Sequence, residues 1–387
     1  MEEITVYKQP SNKFFEIISS INTPCILYDE DMIIHTLKNI KDLISIVTQF
    51  KLHIAIKSTH NIELLKLINQ YVEGCDVASI GELKLAKEAG FQNITTTSPG
   101  YSKDEFNELI KNNVIPDIDS LEQLKYYAKN YPSTDVGLRI KVLLDDKYQN
   151  EFTFMNDSRF GIVNIESAKS IVDENNLKIK SLHIHTGQSN PKDFLEKFKY
   201  LIDIATDLKS VNTINLGGGL FHFFSNIKGA KEVLNDIAII LDKWQLKNNR
   251  EIKVIIEPGA LLLGGNGFLI SSIMNMSEYK NQKNIILDVS PWNISPWIKP
   301  KVFMIDHYEE NYDTPYYISG NSLYENDFLT FDKENPETYY LPNSIEIENR
   351  LLFAGMGAYT TTNKRYFNKL RDTELFILKS SGELVKI

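Results

Sequence analysis

Several residues of this chain stand where short apolar runs end, the places from which a side chain can reach a reacting group. Lys57 closes the run HIAIK, just ahead of the polar Ser58-Thr59-His60. A lysine there either snorkels at a rim or faces an interior, and desolvation of an interior lysine lowers its pKa and suits it to Schiff-base chemistry. His183 and His185 lie two apart in a strand-like run, so both rings can project from one face. Such a pair fits a metal site, for which no third ligand stands at suitable spacing, or a ring stacked on a planar cofactor. Gly217-Gly218-Gly219 follows the apolar Thr213–Leu216. Its amides can cradle a phosphate or simply turn a tight loop. Glu257 ends IIEPG, where a carboxylate can cap, pair with a cation or take part in catalysis. No GxSxG, HExxH or P-loop lysine motif is present.

Positioning these groups at one place requires a repeated strand-and-helix frame. Strand-like runs occur as TPCILYD, HIAIKS, GCDVAS, ITTTS, DVGLRIKV, IKSLHIHTG, TINLGGG and KVIIEPG. Segments such as Asn61–Tyr71 and Gly81–Ala89 separate them, with apolar residues recurring at three and four positions. This alternation predicts an α/β fold, a closed (β/α)8 barrel over residues 26–265, with an open doubly wound sheet as the other way to bury such strands. Beyond Gly264-Gly265-Asn266-Gly267 the long helices stop, and FLISSIM, NIILDVS, TPYYISG, NDFLTF, RLLFAGM and TELFILK follow as strand-like runs. They predict a C-terminal antiparallel β domain over 266–387, joined by residues 1–25. Asp145–Asp157 and Asp332–Glu337 read as polar loops.

Of the 387 residues, 42% are hydrophobic and 24% charged, the balance of a soluble protein with a sizeable core. A net charge of −9 disfavours a nucleic-acid partner, which needs a basic face. Two cysteines, Cys25 and Cys75, give no disulfide framework. The start lacks a basic region followed by an apolar run, and no apolar stretch nears the roughly 20 residues that span a bilayer. A cytoplasmic protein without membrane association is the expectation.

Taken in order, IAIKS, GCDVASIGEL, GLRIKV, SRFGI, HIHTGQ, INLGGG, IIEPG, GNSLYENDFL and GMGAYTTTNKRYFN resemble the fold-type III pyridoxal-phosphate decarboxylases. That family includes diaminopimelate and ornithine decarboxylases and is related to alanine racemase; the likeness runs from about residue 23 to 370. It implies pyridoxal 5'-phosphate as cofactor, carried by Lys57 as a Schiff base. His185 would stack on the pyridine ring and Arg139 would contact the phenolic oxygen. Gly217, Gly218, Gly219 and Tyr359 would hold the phosphate, and Glu257 would pair with the pyridine nitrogen. Asp76 and Glu82 would support the lysine and the hydrogen bonds around it. No metal is implied. A head-to-tail homodimer with shared active sites, completed by the β domain, is implied as well. A carboxylate beside the ring nitrogen deepens the electron sink that decarboxylation requires, whereas the related racemases place an arginine there.

Three departures from the family pattern bear on function. Leu323 stands where those decarboxylases carry a cysteine that helps reprotonate the α-carbon, and leucine has no proton to give. Tyr324 or Ser322 are the candidates to replace it and to meet substrate. Ala260 replaces the arginine of EPGR, so Lys364 or Arg365 would have to compensate at the phosphate. Lys299, in ISPWIKPKVF, aligns with the specificity segment, where a cation suits a distal carboxylate. The expectation is a carboxy-lyase for an amino acid with a distal carboxylate, or for a conjugated intermediate of a siderophore-like or other secondary-metabolite route. The alternatives are a racemase or epimerase and an inactive regulatory homologue.

Overall fold

The computed structural model describes residues 5, 7, 8, 10, 12–18, 21–148, 156–306, 309–330 and 336–387. Most of the expected polar loop at 145–157 and most of that at 332–337 lie outside the described residues. The chain divides into two compact units, Thr36–Gly259 and Thr5–His35 with Ala260–Ile387.

The first strand in the chain, β1 (Cys25–Asp29), belongs to the second unit. The first unit is a closed parallel barrel of eight strands among the described residues: β2 (Phe50–Ala55), β3 (Gly74–Val77), β4 (Ile94–Ser98), β5 (Pro116–Ile118), β6 (Asp135–Arg139), β7 (Lys178–His183), β8 (Thr213–Asn215) and β9 (Lys253–Ile256). Closure comes from β2 pairing with both β3 and β9. The helices between strands begin where polar side chains satisfy their first free amides. Asn61 accepts from Glu63 and Leu64, Ser79 from Glu82 and Ser120 from Gln123, while Ser102 and Asn190 form capping boxes with Glu105 and Asp193. The expected helices at Asn61–Tyr71 and Gly81–Ala89 correspond to Ile62–Asn69 and Ile80–Glu88.

Two barrel-strand assignments differ from the sequence-based expectation. TPCILYD is not a barrel strand: β1 runs antiparallel to Cys25's partner strand at Ile270 and parallel to a strand at Glu374. All five of its residues are buried, so its apolar run suits either sheet and periodicity cannot choose. The eighth barrel strand is instead β5, three residues opened by a proline and too short to register as an apolar run.

The second unit adds β10 (Gly267–Tyr279), β11 (Gln282–Leu287), β12 (Lys301–Met304), β13 (Thr314–Ser319), β14 (Tyr339–Leu341), β15 (Arg350–Ala354), β16 (Glu374–Leu378) and β17 (Leu384–Lys386). With β1 they form a nine-stranded sheet among the described residues, mostly antiparallel, with β1–β16 and β11–β13 parallel. NDFLTF forms only an isolated bridge between Phe328 and Ser319. The sheet packs one face on Phe14, Ile18, Cys25, Leu27, Phe268, Ile270 and Leu352, all fully buried. Phe268 meets Phe14 edge-on, ring centroids 4.9 Å apart.

Truncating such a ring removes its buried area and leaves a cavity that close-packed neighbours fill only in part. Phe268→Ala is therefore expected to destabilise the second unit by about 3–5 kcal/mol, read from its urea transition by circular dichroism. A loss under about 1 kcal/mol would contradict this packing.

Candidate active site

Parallel barrel strands all end at the same rim, and the chemistry-bearing residues of the barrel unit follow or close those ends. Lys57 lies on a single 3-10 turn, Ile56–Ser58, just beyond β2 rather than within the strand, and its side chain is exposed. Its ammonium acts electrostatically on Asp76, Glu257, His183 and His185. Asp76 is the third residue of β3, Arg139 ends β6, His183 ends β7 and Glu257 follows β9. His185 and Gly217-Gly218-Gly219 come from the loops after β7 and β8.

Those loops approach one another so closely that side chains are excluded. Gly217 and Gly219 have φ of +68° and +74°, and a Cβ on Gly219 would lie 1.8 Å from the Gly187 carbonyl oxygen. A Cβ on Gly218 would lie 2.6 Å from the Glu257 carbonyl oxygen. The Gly218 amide donates to His185 Nδ1 at 3.2 Å, and Gly219 O accepts from the Ser189 amide at 2.7 Å. Behind this loop the buried Lys197 pairs with Asp193 at 3.0 Å and donates to Ser189 Oγ at 2.5 Å. The close-packed glycine loop, the imidazole docked on it and the nearby lysine and carboxylate are groups of the kind that a phosphorylated pyridine aldehyde requires.

Glu257 is buried at 4% exposure. Thr95 Oγ1 donates to its Oε1 at 3.0 Å, Asn215 Nδ2 donates to the same oxygen, and His183 Nε2 lies 3.7 Å from Oε2. Burial raises its pKa, while Asn215, Lys57, Thr95 and Arg139 pull it down. Asp76 is raised by burial and by the Glu257 charge, against the pull of Lys57. Desolvation lowers both His183 and His185, which leaves both rings neutral. Arg139 pairs with Asp119 at 3.2 Å, donates to the His185 carbonyl at 3.5 Å and covers the Phe160 ring at 4.3 Å from its centroid. Glu82 accepts from the Ala78 amide at 2.7 Å and lies 3.2 Å from His60 Nε2, so it fixes the start of the helix Ile80–Glu88. Among the described residues no group of three or more His, Cys, Asp or Glu is arranged to hold a metal ion.

Lys299, Ser322, Leu323, Tyr324, Tyr359, Lys364 and Arg365 belong to the second unit, as does Ala260, which opens the short helix Ala260–Leu263. Lys299 forms an ion pair with Glu337 and lies over the Tyr339 ring. Tyr324 packs on Trp292 with ring centroids 4.2 Å apart, and Arg365 covers the Trp292 ring at 3.9 Å. The Ser322 amide donates to the buried Asp327 at 3.1 Å, Leu323 is 87% exposed, Tyr359 stacks on Trp297 at 4.7 Å, and Lys364 pairs with Asp372 at 2.6 Å.

Sequence reasoning missed the neutral and acidic residues that knit the barrel interior: Thr95, Thr97, Asp117 and Asn215. The alternation within ITTTS was the available signal, since it places Thr95 and Thr97 on one face. Asp117 accepts from Ser181 at 2.5 Å and Thr97 at 3.4 Å, and burial pushes it from 3.8 up to about 7. The folded protein thus binds a proton that the unfolded chain releases, so this group stabilises the fold below pH about 4, and that contribution is lost as pH rises to about 7. Asp117→Asn removes the titration. Its stability relative to the parent is expected to improve by on the order of 2–4 kcal/mol between pH 4 and pH 8, measured by urea unfolding across that range. An unchanged difference would show that Asp117 does not titrate in this window.

Residues 30–264 match the family model described as pyridoxal-dependent decarboxylase, pyridoxal binding domain. The diaminopimelate decarboxylase of Buchnera aphidicola subsp. Baizongia pistaciae is 26% identical, over 95% of this chain and 93% of its own. An L-glutamyl-[BtrI acyl-carrier protein] decarboxylase of Niallia circulans is 25% identical over 69% of this chain and 66% of its own. In fold, the chain is similar to the crystal structure of diaminopimelate decarboxylase from Helicobacter pylori complexed with L-lysine, with a TM-score of 0.79 at 20% identity, covering 96% of this chain and 95% of that one. It is also similar to carboxynorspermidine decarboxylase from Campylobacter jejuni, with a TM-score of 0.73 at 21% identity, covering 95% and 97%. A matched region of this extent, on a barrel that gathers lysine, imidazole, glycine loop and carboxylate at one rim, makes the chain a member of the pyridoxal-dependent decarboxylase family, an amino-acid decarboxylase that uses pyridoxal phosphate.

Proposed function

We propose that this decarboxylase acts on an amino acid whose far end is a carboxylate or a conjugated group, in a specialised biosynthetic route. The observation that carries the chemistry is Glu257, a buried carboxylate held by two neutral donors at the barrel rim. Losing CO2 leaves an electron pair on the α-carbon, and pyridoxal phosphate, when bound, supplies the sink for that pair. An anionic Glu257 favours a proton on the ring nitrogen and so deepens the sink, which disfavours the racemase alternative. Lys57 would attach the cofactor, beside Asp76, whose carboxyl is raised by burial and by the Glu257 charge against the pull of Lys57. His185 packs against the ring, and Arg139, already oriented by Asp119, meets the phenolic oxygen. The Gly217-Gly218-Gly219 loop would lie against the phosphate, its Gly217 and Gly218 amides being engaged by Asn215 Oδ1 and His185 Nδ1, and Tyr359 is the further contact that the family resemblance implies.

The distal-group assignment draws on Lys299 and on the relatives, one named for diaminopimelate and one for a glutamyl group on a carrier protein. Glu337 pairs with Lys299 in this chain, so a substrate carboxylate has to displace or share that partner. The specialised role is supported by Leu323 and Ala260, which depart from the family pattern at the proton donor and the phosphate. Tyr324 or Ser322 takes the place of the missing thiol beside the substrate. We read the assembly as a homodimer in which residues 1–25 and 266–387 of one copy complete the other copy's site. A cytoplasmic setting accords with two free, buried cysteines, and no helix among the described residues is long and apolar enough to cross a membrane.

The purified, cofactor-loaded protein in D2O is expected to convert an acidic or conjugated amino acid into an amine deuterated at the former α-carbon, with release of CO2, as followed by NMR. Deuterium in recovered amino acid without CO2 would overturn the proposal in favour of a racemase. Lys57→Ala is expected to lose the visible absorbance of lysine-attached cofactor and to lower turnover by at least about 1,000-fold. Parent-like absorbance and turnover in that variant would remove Lys57 from its role.

A further inference from the structure

Strand β4 reads Ile94-Thr95-Thr96-Thr97-Ser98, and its alternation divides the three threonines between two surroundings. Thr96 turns to Tyr101, its hydroxyl 2.9 Å from the phenol. Thr97 reaches Asp117 and His183 Nδ1, each at 3.4 Å. Thr95 donates to Glu257 Oε1 at 3.0 Å and lies 3.4 Å from Asp76 Oδ1. At the end of β8, Asn215 uses both halves of its amide. Its Oδ1 accepts from the Gly217 amide at 3.0 Å, which requires the Nδ2 side to face Glu257, where it donates to Oε1. Both neutral donors therefore meet the same carboxylate oxygen, and Oε2 faces the His183 ring.

We infer, resting on Glu257 as the partner of the cofactor's ring nitrogen, that Thr95 and Asn215 are positioning residues that keep Glu257 ionised inside the barrel and pin Oε1, so that Oε2 is the oxygen left for a cation.

The charges around Glu257 do not accomplish this by themselves. Lys57 from the turn after β2 and Arg139 on β6 favour its anion, but Asp76 on β3 and Asp117 on β5 oppose it. Arg139 is also neutralised in part by Asp119, and His183 and His185 are uncharged. Burial favours the protonated acid, which has no charge with which to hold a proton on the ring nitrogen. Hydrogen bonds to the charged form oppose the rise in pKa that burial causes. Neutral donors do so without introducing a cation that would compete with the protonated ring. The Asn215 amide adds a second constraint, because the same side chain ties Glu257 to the first glycine of the phosphate-binding loop. The residues that would meet the ring nitrogen and the phosphate are thereby linked through one side chain.

The test is the titration of Glu257 in the cofactor-free protein, followed as the infrared carbonyl band of a protonated carboxylic acid that is missing in Glu257→Gln. In Thr95→Val and in Asn215→Leu the midpoint is expected to rise by about one pH unit or more. The acid limb of kcat in the loaded enzyme is expected to rise with it. Asn215→Leu also frees Gly217 and can disturb the loop. Thr95→Val, nearly isosteric, keeps the test decisive if that variant fails to fold. Midpoints unmoved from the parent in the folded variants would overturn the inference, and a rise in only one would remove the other residue from the role. Parent-level turnover in Glu257→Gln would instead defeat the assignment of Glu257 to the ring nitrogen, independently of where Glu257 titrates.

Discussion

A carboxylate placed inside a protein loses the water that stabilised its charge, and most of the barrel interior of this chain is arranged around that cost at Glu257. The side chain is 4% exposed and shares its surroundings with Asp76 and Asp117, so burial and like charge both favour the neutral acid. Thr95, Asn215, Lys57 and Arg139 act in the other direction. The strands therefore carry polar side chains where a barrel with no chemistry would be filled by branched apolar residues. Such an interior forms only when each donor finds its acceptor, because a half-satisfied buried network is costly.

The glycine loop belongs to the same design. Loops following β7, β8 and β9 meet with carbonyl oxygens where Cβ atoms would otherwise sit, at Gly217, Gly218 and Gly219. That closeness lets His185 dock on the Gly218 amide and lets Ser189 bind Gly219. The buried Lys197–Asp193 pair anchors the helix Pro191–Asp207 against the same loop through Ser189. A buried pair of this kind contributes more to defining one geometry than to net stability.

In the second unit, aromatic and cationic side chains cluster instead. Trp292 is covered by Tyr324 on one contact and Arg365 on another, and Trp297 stacks on Tyr359. Arg365 also donates to the Trp292 carbonyl at 2.7 Å, so its guanidinium is engaged within its own unit. Lys299 and Lys364 are likewise engaged, by Glu337 and Asp372. The cations that sequence alignment nominates for substrate or phosphate thus have carboxylate or carbonyl partners already, and a ligand has to compete with them.

Local pattern alone established the class of fold, because eight strands alternating with capped helices leave few ways to bury every apolar face. It also singled out Lys57, His185, the glycine triplet and Glu257, since strand ends are recognisable from local pattern and parallel strands share a rim. It did not determine which strands close the barrel. β1 is apolar enough for either sheet, and β5 is too short and proline-led to stand out. Nor did it reveal Thr95, Asn215 and Asp117 as the partners that set the charge of the site. Threonine, asparagine and aspartate are unremarkable in sequence, and Thr95 stands 162 positions from the carboxylate to which it donates. Only closure of the barrel brings β4, β8 and β9 around one side chain, and a hydrogen bond depends on that distance in space, on which separation along the chain carries no information.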